Sequence, residues 1–250
     1  KRKIRIEKIS ILIFFIFFFY FFDIVEVLPH NSYSRIQDLK DENHQYIDFH
    51  HHTEGKYGVY NMNFLQKSIN SLYSIGLHPK DLHNVDDNAW HWFRENSLQE
   101  QCFAIGEAGL DAFVDISEGI QEKVFTEQIL WANKIRKPVI IHCVRRFSQL
   151  LRFMKLAKVP MIIHGFNKKR TIADELLAKG FYLSFGKSVI YQVYLQEILK
   201  AVPFNRIFLE TDTADFDIVE LYYRVAEIKG LSVENLQEII TENFKNIQIK

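Results

Sequence analysis

Five segments of the chain end an apolar run in a side chain able to ligate a metal ion. They are Tyr46-Ile-Asp-Phe-His50-His-His52, Ala104-Ile-Gly-Glu107, Pro138-Val-Ile-Ile-His142, Met161-Ile-Ile-His164 and Arg206-Ile-Phe-Leu-Glu-Thr-Asp212. Imidazole nitrogens and carboxylate oxygens are the donors that Zn, Mn or similar divalent ions take up. Successive side chains of a strand face opposite ways, so His50 and His52 share a face and His51 turns to the other. Glu107 follows Gly106, which permits a sharp turn at the strand exit, and a carboxylate there can bridge two ions. Asp212 can both ligate an ion and take a proton from water, whose pKa a bound ion lowers from about 16 toward about 7. Metal-dependent hydrolysis is the chemistry such a set could perform. Each residue alone has a plainer reading: a polar strand exit, a surface glutamate, a hydrogen-bonded core histidine, a turn cap at residues 211–213. Their recurrence at five strand ends outweighs those readings.

Positioning these groups requires a parallel sheet. From Tyr46 onward, short apolar runs alternate with stretches of helical periodicity, the pattern of βα units. Strands are predicted at the Tyr46 segment, Leu72–Gly76, Phe103–Gly106, Val139–Ile141, Met161–Ile163, Phe181–Phe185 and Ile207–Leu209. Helices are predicted over Asn63–Asn70, Trp90–Glu100, Gln121–Ile135, Phe147–Leu156, Ile172–Lys179, Asp217–Gly230 and Val233–Ile247. The expected fold is α/β, a TIM-type (β/α)8 barrel, in which all strand C-termini point to one face. Only seven strands are recognisable, so the barrel is expected to be irregular or short of one strand, with the C-terminal Ile247-Gln-Ile as a candidate for closing it.

Composition narrows the partners. Among the 250 residues, Lys plus Arg and Asp plus Glu balance at 31 each, so no bulk positive charge marks a nucleic-acid binder. An anionic substrate would have to be held by local charges or by metal. Cys102 and Cys143 fall beside or within predicted buried strands and read as reduced core thiols. Residues 1–45 form an N-terminal extension distinct from a catalytic domain over 46–250, and within it a basic stretch precedes an apolar, phenylalanine-rich run at 9–22. Read as a signal or anchor, that run makes the protein exported or membrane-attached. Read as translated upstream sequence, it leaves a cytoplasmic protein.

From Tyr46 to the C-terminus the chain resembles the TatD family of metal-dependent hydrolases, within the amidohydrolase-like barrels. The markers are His50-x-His52, Gly76-Leu-His-Pro79, Ala104-Ile-Gly-Glu107-Ala-Gly-Leu-Asp111, Pro138-Val-Ile-Ile-His142, Ile163-His164-Gly-Phe166 and Leu209-Glu-Thr-Asp212, in that order. The resemblance implies two divalent ions (Mg, Mn or Zn), one held by His50, His52 and Asp212, the other by His142 and His164, with Glu107 bridging. Members are described as deoxyribonucleases that often trim strands from the 3′ end, which implies phosphodiester cleavage. DNA ends or single-stranded DNA would be the partner, and no obligate protein partner is implied. His78 is then placed to contact a phosphate or protonate a leaving oxygen, and Asp111 to orient the Glu107 loop or a ligand histidine. Arg145, Lys168 and Lys169 become candidate contacts to the substrate backbone; Phe166 and Phe185 could offer stacking surfaces, but core packing is their safer reading. After Asp212 the chain departs from the pattern: many relatives carry a longer loop there, whereas Thr213-Ala-Asp-Phe-Asp passes straight toward a helix and adds Asp215 and Asp217 near the metals. Two other readings stand beside the nuclease: hydrolysis of a C–N or ester bond in a small molecule, and a non-catalytic metal-binding accessory module.

Overall fold

Short runs of Val, Ile, Phe and Tyr, buried against neighbours on both faces, form the wall of the molecule. The computed structural model describes residues 46–67 and 69–248; the N-terminal extension and its apolar run lie outside them. Eight parallel strands follow one another around the sheet in chain order: β1 Asp48–His51, β2 Gly58–Asn61, β3 Tyr73–Ile75, β4 Cys102–Asp111, β5 Val139–Val144, β6 Met161–Ile163, β7 Tyr182–Phe185 and β8 Ile207–Leu209. The ring closes just past β8, where the Asp212 N–H donates to the His50 carbonyl at 2.9 Å and the His52 N–H to the Asp212 carbonyl at 3.3 Å. Among the described residues the helices are α1 Asp87–Ser97, α2 Glu118–Ile135, α3 Phe147–Leu150, α4 Arg170–Ala178, α5 Ser188–Tyr191, α6 Val193–Ala201, α7 Ile218–Lys229 and α8 Val233–Asn246. No helix of the described residues is long and apolar enough to cross a membrane.

Three expectations need correction. The strand that sequence did not reveal is β2, a four-residue segment, Gly58-Val-Tyr-Asn61, whose outer two residues are poor strand formers. The described residues of 63–70, expected to be helical, form turns and irregular chain. Ile247-Gln-Ile does not close the barrel: Ile247 caps α8, and closure falls to Asp212. The pair α5 and α6, between β7 and β8, was also not anticipated.

Phe49 of β1 stacks on Phe208 of β8 with ring centroids 4.0 Å apart, and Phe103 of β4 stacks on Phe244 of α8 at 4.2 Å. Edge contacts of Phe49 with Phe103 and Phe244 join the two pairs. The cluster thus ties β1, β4 and β8 to α8, although β1 and β4 are not neighbours in the sheet. Each such ring contributes about 2–3 kcal/mol by burial alone. Both cysteines are free and buried, and burial pushes the Cys143 thiol up to about 12, so it stays protonated at neutral pH.

Two buried glutamines of α2 hold the strand exits. Gln128 accepts the Leu77 N–H at 2.8 Å and donates to the Leu77 carbonyl at 3.1 Å. Gln121 accepts the Asp111 N–H at 2.8 Å and donates to the Asp111 and Ile116 carbonyls at 3.0 and 2.9 Å. The seven-residue interval places both on one face of the helix, two turns apart. One thereby fixes the backbone before His78, the other the backbone of Asp111. Gln128→Leu keeps the bulk but orphans a buried N–H and a buried carbonyl. It is expected to cost roughly 2–4 kcal/mol, read as a lowered denaturant midpoint; an unchanged midpoint would remove the clamp from the stability of this fold.

Candidate metal centre

The strand ends converge on Glu107. Its carboxylate, 6% exposed, presents its two oxygens to different sets of nitrogens. Oε1 lies 2.9 Å from His50 Nε2 and 3.0 Å from His52 Nε2. Oε2 lies 3.2 Å from His78 Nε2, and 3.5 Å from both His142 Nδ1 and His164 Nε2. Asp212 Oδ1 stands 3.4 Å from His52 Nε2 and 3.9 Å from His50 Nε2. Donor atoms of His50, Glu107, His164 and Asp212 lie within 4.8 Å of one another, as do those of His78, Glu107 and His142. His52 joins through its contacts with Glu107 and Asp212.

Glycines allow the strands to come this close. A Cβ on Gly76 would sit 2.4 Å from the Glu107 carbonyl oxygen, and one on Gly109 2.0 Å from that of His142. Gly109 also holds φ +152, which side chains rarely adopt. The Glu107 N–H donates to Asn61 Oδ1 at 3.0 Å, and the Ser74 hydroxyl donates to the same oxygen at 3.1 Å, so β2 and β3 together hold Glu107 in place within β4, which continues to Asp111.

Outer carboxylates orient the histidines. Asp111 Oδ2 lies 2.9 Å from His142 Nε2, leaving Nδ1 facing Glu107 and His164. Glu210, fully buried, sits 3.6 Å from His164 Nδ1 and accepts the Gly165 N–H. Such pairing fixes the ring and raises its basicity. His78 is different: its Nδ1 accepts the Lys80 N–H at 3.0 Å, so the neutral ring carries its proton on Nε2, toward Glu107. That tautomer makes His78 a donor into the site and not a ligand.

Charge is strongly coupled here. Burial alone would raise the pKa of Glu107, but the His164 charge and hydrogen bonds from His142, His50 and His52 hold it well below the usual carboxylate range. Burial would lower His52 and His164; instead the carboxylates of Asp212 and Glu107 lift His52 to about 9, and Glu107 with Glu210 lifts His164 to about 9. Asp212 is lowered, against the effect of its burial, chiefly by its bond to His52. His78 is lowered by burial. His51 faces away, with its ring centroid 6.0 Å from that of Tyr60, and burial pushes it down to about 4.

The expected substrate contacts lie on the loops after β5 and β6. Arg145 is exposed in a left-handed backbone (φ 54), with its guanidinium 4.7 Å from the centroid of the Phe113 ring. Lys168 and Lys169 precede α4, the first half-buried and the second exposed. Phe166 and Phe185 offer no stacking surface: both are buried and meet edge to face at 5.6 Å. Asp217 caps α7 by accepting the Val219 N–H, and Lys187 donates to the Asp215 carbonyl at 3.4 Å, which brings a cation to that acidic loop. Sequence reasoning missed Asn61, Gln121, Gln128, Glu210 and Asp48. The last accepts both the Thr211 N–H at 2.9 Å and its hydroxyl at 2.6 Å, and burial still pushes its pKa up to about 6. A charged residue inside the apolar Ile-Asp-Phe run was the available signal for Asp48, and one directly after Ile-Phe-Leu the signal for Glu210.

Comparison with known proteins identifies relatives of this barrel. The model of the family described as TatD related DNase matches residues 56–248. The Bacillus subtilis (strain 168) protein named "uncharacterized metal-dependent hydrolase YabD" is 31% identical over 193 residues, which cover 70% of this chain and 76% of that one. A Cronobacter sakazakii protein named "3'-5' ssDNA/RNA exonuclease TatD" is 33% identical over 146 residues, 56% of each chain. The structure of YJJV, a TatD homolog from Escherichia coli, superposes with a TM-score of 0.63 at 21% identity over 71% of this chain and 76% of that one. A TatD family hydrolase from Entamoeba histolytica gives 0.68 at 16% identity over 82% and 98%. With a family model spanning most of its barrel, the chain belongs to the TatD family of metal-dependent hydrolases.

Proposed function

We propose that this chain is a two-metal phosphodiesterase that removes nucleotides from the 3′ end of single-stranded DNA. The observation that carries the two-ion reading is the division of nitrogens between the oxygens of Glu107: His50 and His52 at Oε1, His142 and His164 at Oε2. Donor atoms of His50, Glu107, His164 and Asp212 lie within 4.8 Å of one another, a spacing that suits an ion whose ligands stand about 2 Å away and that sets His164 between the two groups. The buried His50 Nδ1 has no hydrogen-bond partner, a buried polar atom that the metal-free site leaves unsatisfied. His50, His52 and Asp212 would hold one ion and His142 and His164 the other, with Glu107 shared. Bound there, such ions supply a water of lowered pKa and Lewis-acid stabilisation of negative charge on phosphorus.

The protein's own groups do the rest. Asp212 keeps its carboxylate ionised beside His52, ready to receive the proton of an attacking water. His78 holds a proton on Nε2 that it can give to the leaving oxygen. Arg145, Lys168 and Lys169 put positive charge on neighbouring loops of the same face, where a phosphate backbone would run. Relatives named as 3′-5′ exonucleases support the substrate class and the polarity.

A second reading rests on one feature. A cavity of about 250 Å³ opens beside the cluster, lined in part by His52, Asn61, Phe64, Gly76, His78 and Glu107. Its small volume and mainly polar lining, which includes Lys80 and Asp81, would suit only a small, polar ester or amide.

The deciding experiment strips the protein of metal, resupplies Mg, Mn or Zn, and follows release of nucleotides from strands labelled at either end. Metal-dependent release from the 3′ end, lost in Asp212→Asn, is expected; Asn also tolerates the left-handed backbone (φ 52) at this position. No release despite bound metal would transfer the proposal to the small substrate. For His78→Gln the expected loss in kcat is about 10²- to 10⁴-fold with metal content unchanged. A matching loss of metal would make His78 a ligand instead.

Proton linkage gives an independent check. Because folding raises His52 and His164 from 6.5 to about 9, their pairing stabilises the metal-free fold fully below about pH 6.5 and is lost as pH rises through about 9. An incoming ion must displace those protons, so Mn affinity is expected to rise from pH 6.5 toward pH 9. Titration calorimetry in buffers of different ionisation enthalpy should record proton release. A buffer-independent heat would show the histidines already neutral.

A further inference from the structure

Phe113 lies just beyond β4 with 69% of its surface exposed, yet the backbone beneath it is rigidly held. Its N–H donates to Asp111 Oδ1 at 2.7 Å, while the other oxygen of that carboxylate is 2.9 Å from His142 Nε2. The Asp111 backbone is in turn gripped on both sides by Gln121. One carboxylate therefore fixes both a histidine of the cluster and the base of an exposed aromatic ring. Over that ring, at 4.7 Å, stands the Arg145 guanidinium. Its neighbour Arg146 is committed to Glu118 at 2.9 Å, whereas Arg145 meets no carboxylate among the described residues. The left-handed backbone at Arg145 costs on the order of 1–3 kcal/mol for such a side chain, and strain of that kind is characteristic of positions kept for binding.

We infer that Phe113 and Arg145 form one subsite for an unpaired terminal nucleotide, the ring stacking the base and the guanidinium gripping the adjoining phosphate. This rests on the phosphodiesterase reading and deepens it. A stacking platform accepts any base, because every base has a π-face, and it requires that base to be unpaired. The guanidinium supplies parallel N–H donors to phosphate oxygens. A substrate with a phosphodiester but no base would leave the ring unused.

The test uses the metal-loaded full chain and two strands, one intact and one whose terminal nucleotides are abasic. The wild type is expected to favour the intact strand by about tenfold in kcat/KM, as one base–aromatic stack provides. In Phe113→Leu, which keeps apolar bulk without a ring face, that ratio should fall to near one; Phe113→Trp should restore or exceed it. An unchanged ratio in the Leu variant overturns the subsite. A terminal 2-aminopurine gives a second readout independent of cleavage. Its fluorescence should be quenched on binding to the wild type and not to Phe113→Leu. Quenching without any cleavage would leave the platform standing and remove the nuclease reading; cleavage without quenching would do the reverse.

Discussion

A carboxylate buried in a protein interior stays ionised only if positive charge or hydrogen-bond donors surround it. Glu107 meets that condition through five histidines drawn from the ends of four strands or the residues just after them. No short stretch of chain could assemble such a shell. A parallel barrel can, because every strand delivers its last residue to the same face. The excess protons held on His52 and His164 near neutral pH mark a site whose anions call for more positive charge than neutral imidazoles give. Divalent ions answer that demand better than protons, with fixed donors already in place.

The rigidity of the site comes from groups that touch no ion. Asn61 holds the backbone of Glu107, Asp48 that of Thr211, and Gln121 and Gln128 those of Asp111 and Leu77. All four act on main-chain atoms, so they set where a side chain begins and leave its identity free. Asp111 and Glu210 then set ring orientation from outside. Precision is thus supplied in two layers, backbone first and imidazole second.

The histidines and carboxylates of the cluster were legible because apolar runs such as Val-Ile-Ile before His142 recur, each finishing in a side chain able to ligate a metal. Seven strands and most helices followed from the same periodicity. β2 escaped because its four residues include Gly58 and Asn61, whose value lies in close approach to Asp48 and in bonding Glu107, neither of which leaves a hydrophobic trace. Ser188–Ala201 escaped as two short helices broken at Gln192. The glutamine clamps look like ordinary polar residues on a helix until their partners are known. Phe166 and Phe185 follow the plainer of their two readings: aromatics beside a site are often core, and these are. Phe113, set apart by its exposure, could be identified only in three dimensions.

The seam of the barrel runs through residue 212. Its main chain is stitched to β1 on both sides, by the His50 carbonyl and the His52 N–H, while its side chain belongs to the cluster. The carboxylate is therefore anchored upstream of whatever follows it. Chain inserted or deleted after Thr213 pulls against two backbone bonds before it can displace the Asp212 carboxylate. The segment between Thr213 and α7 can therefore change length with little strain on the seam that holds residue 212.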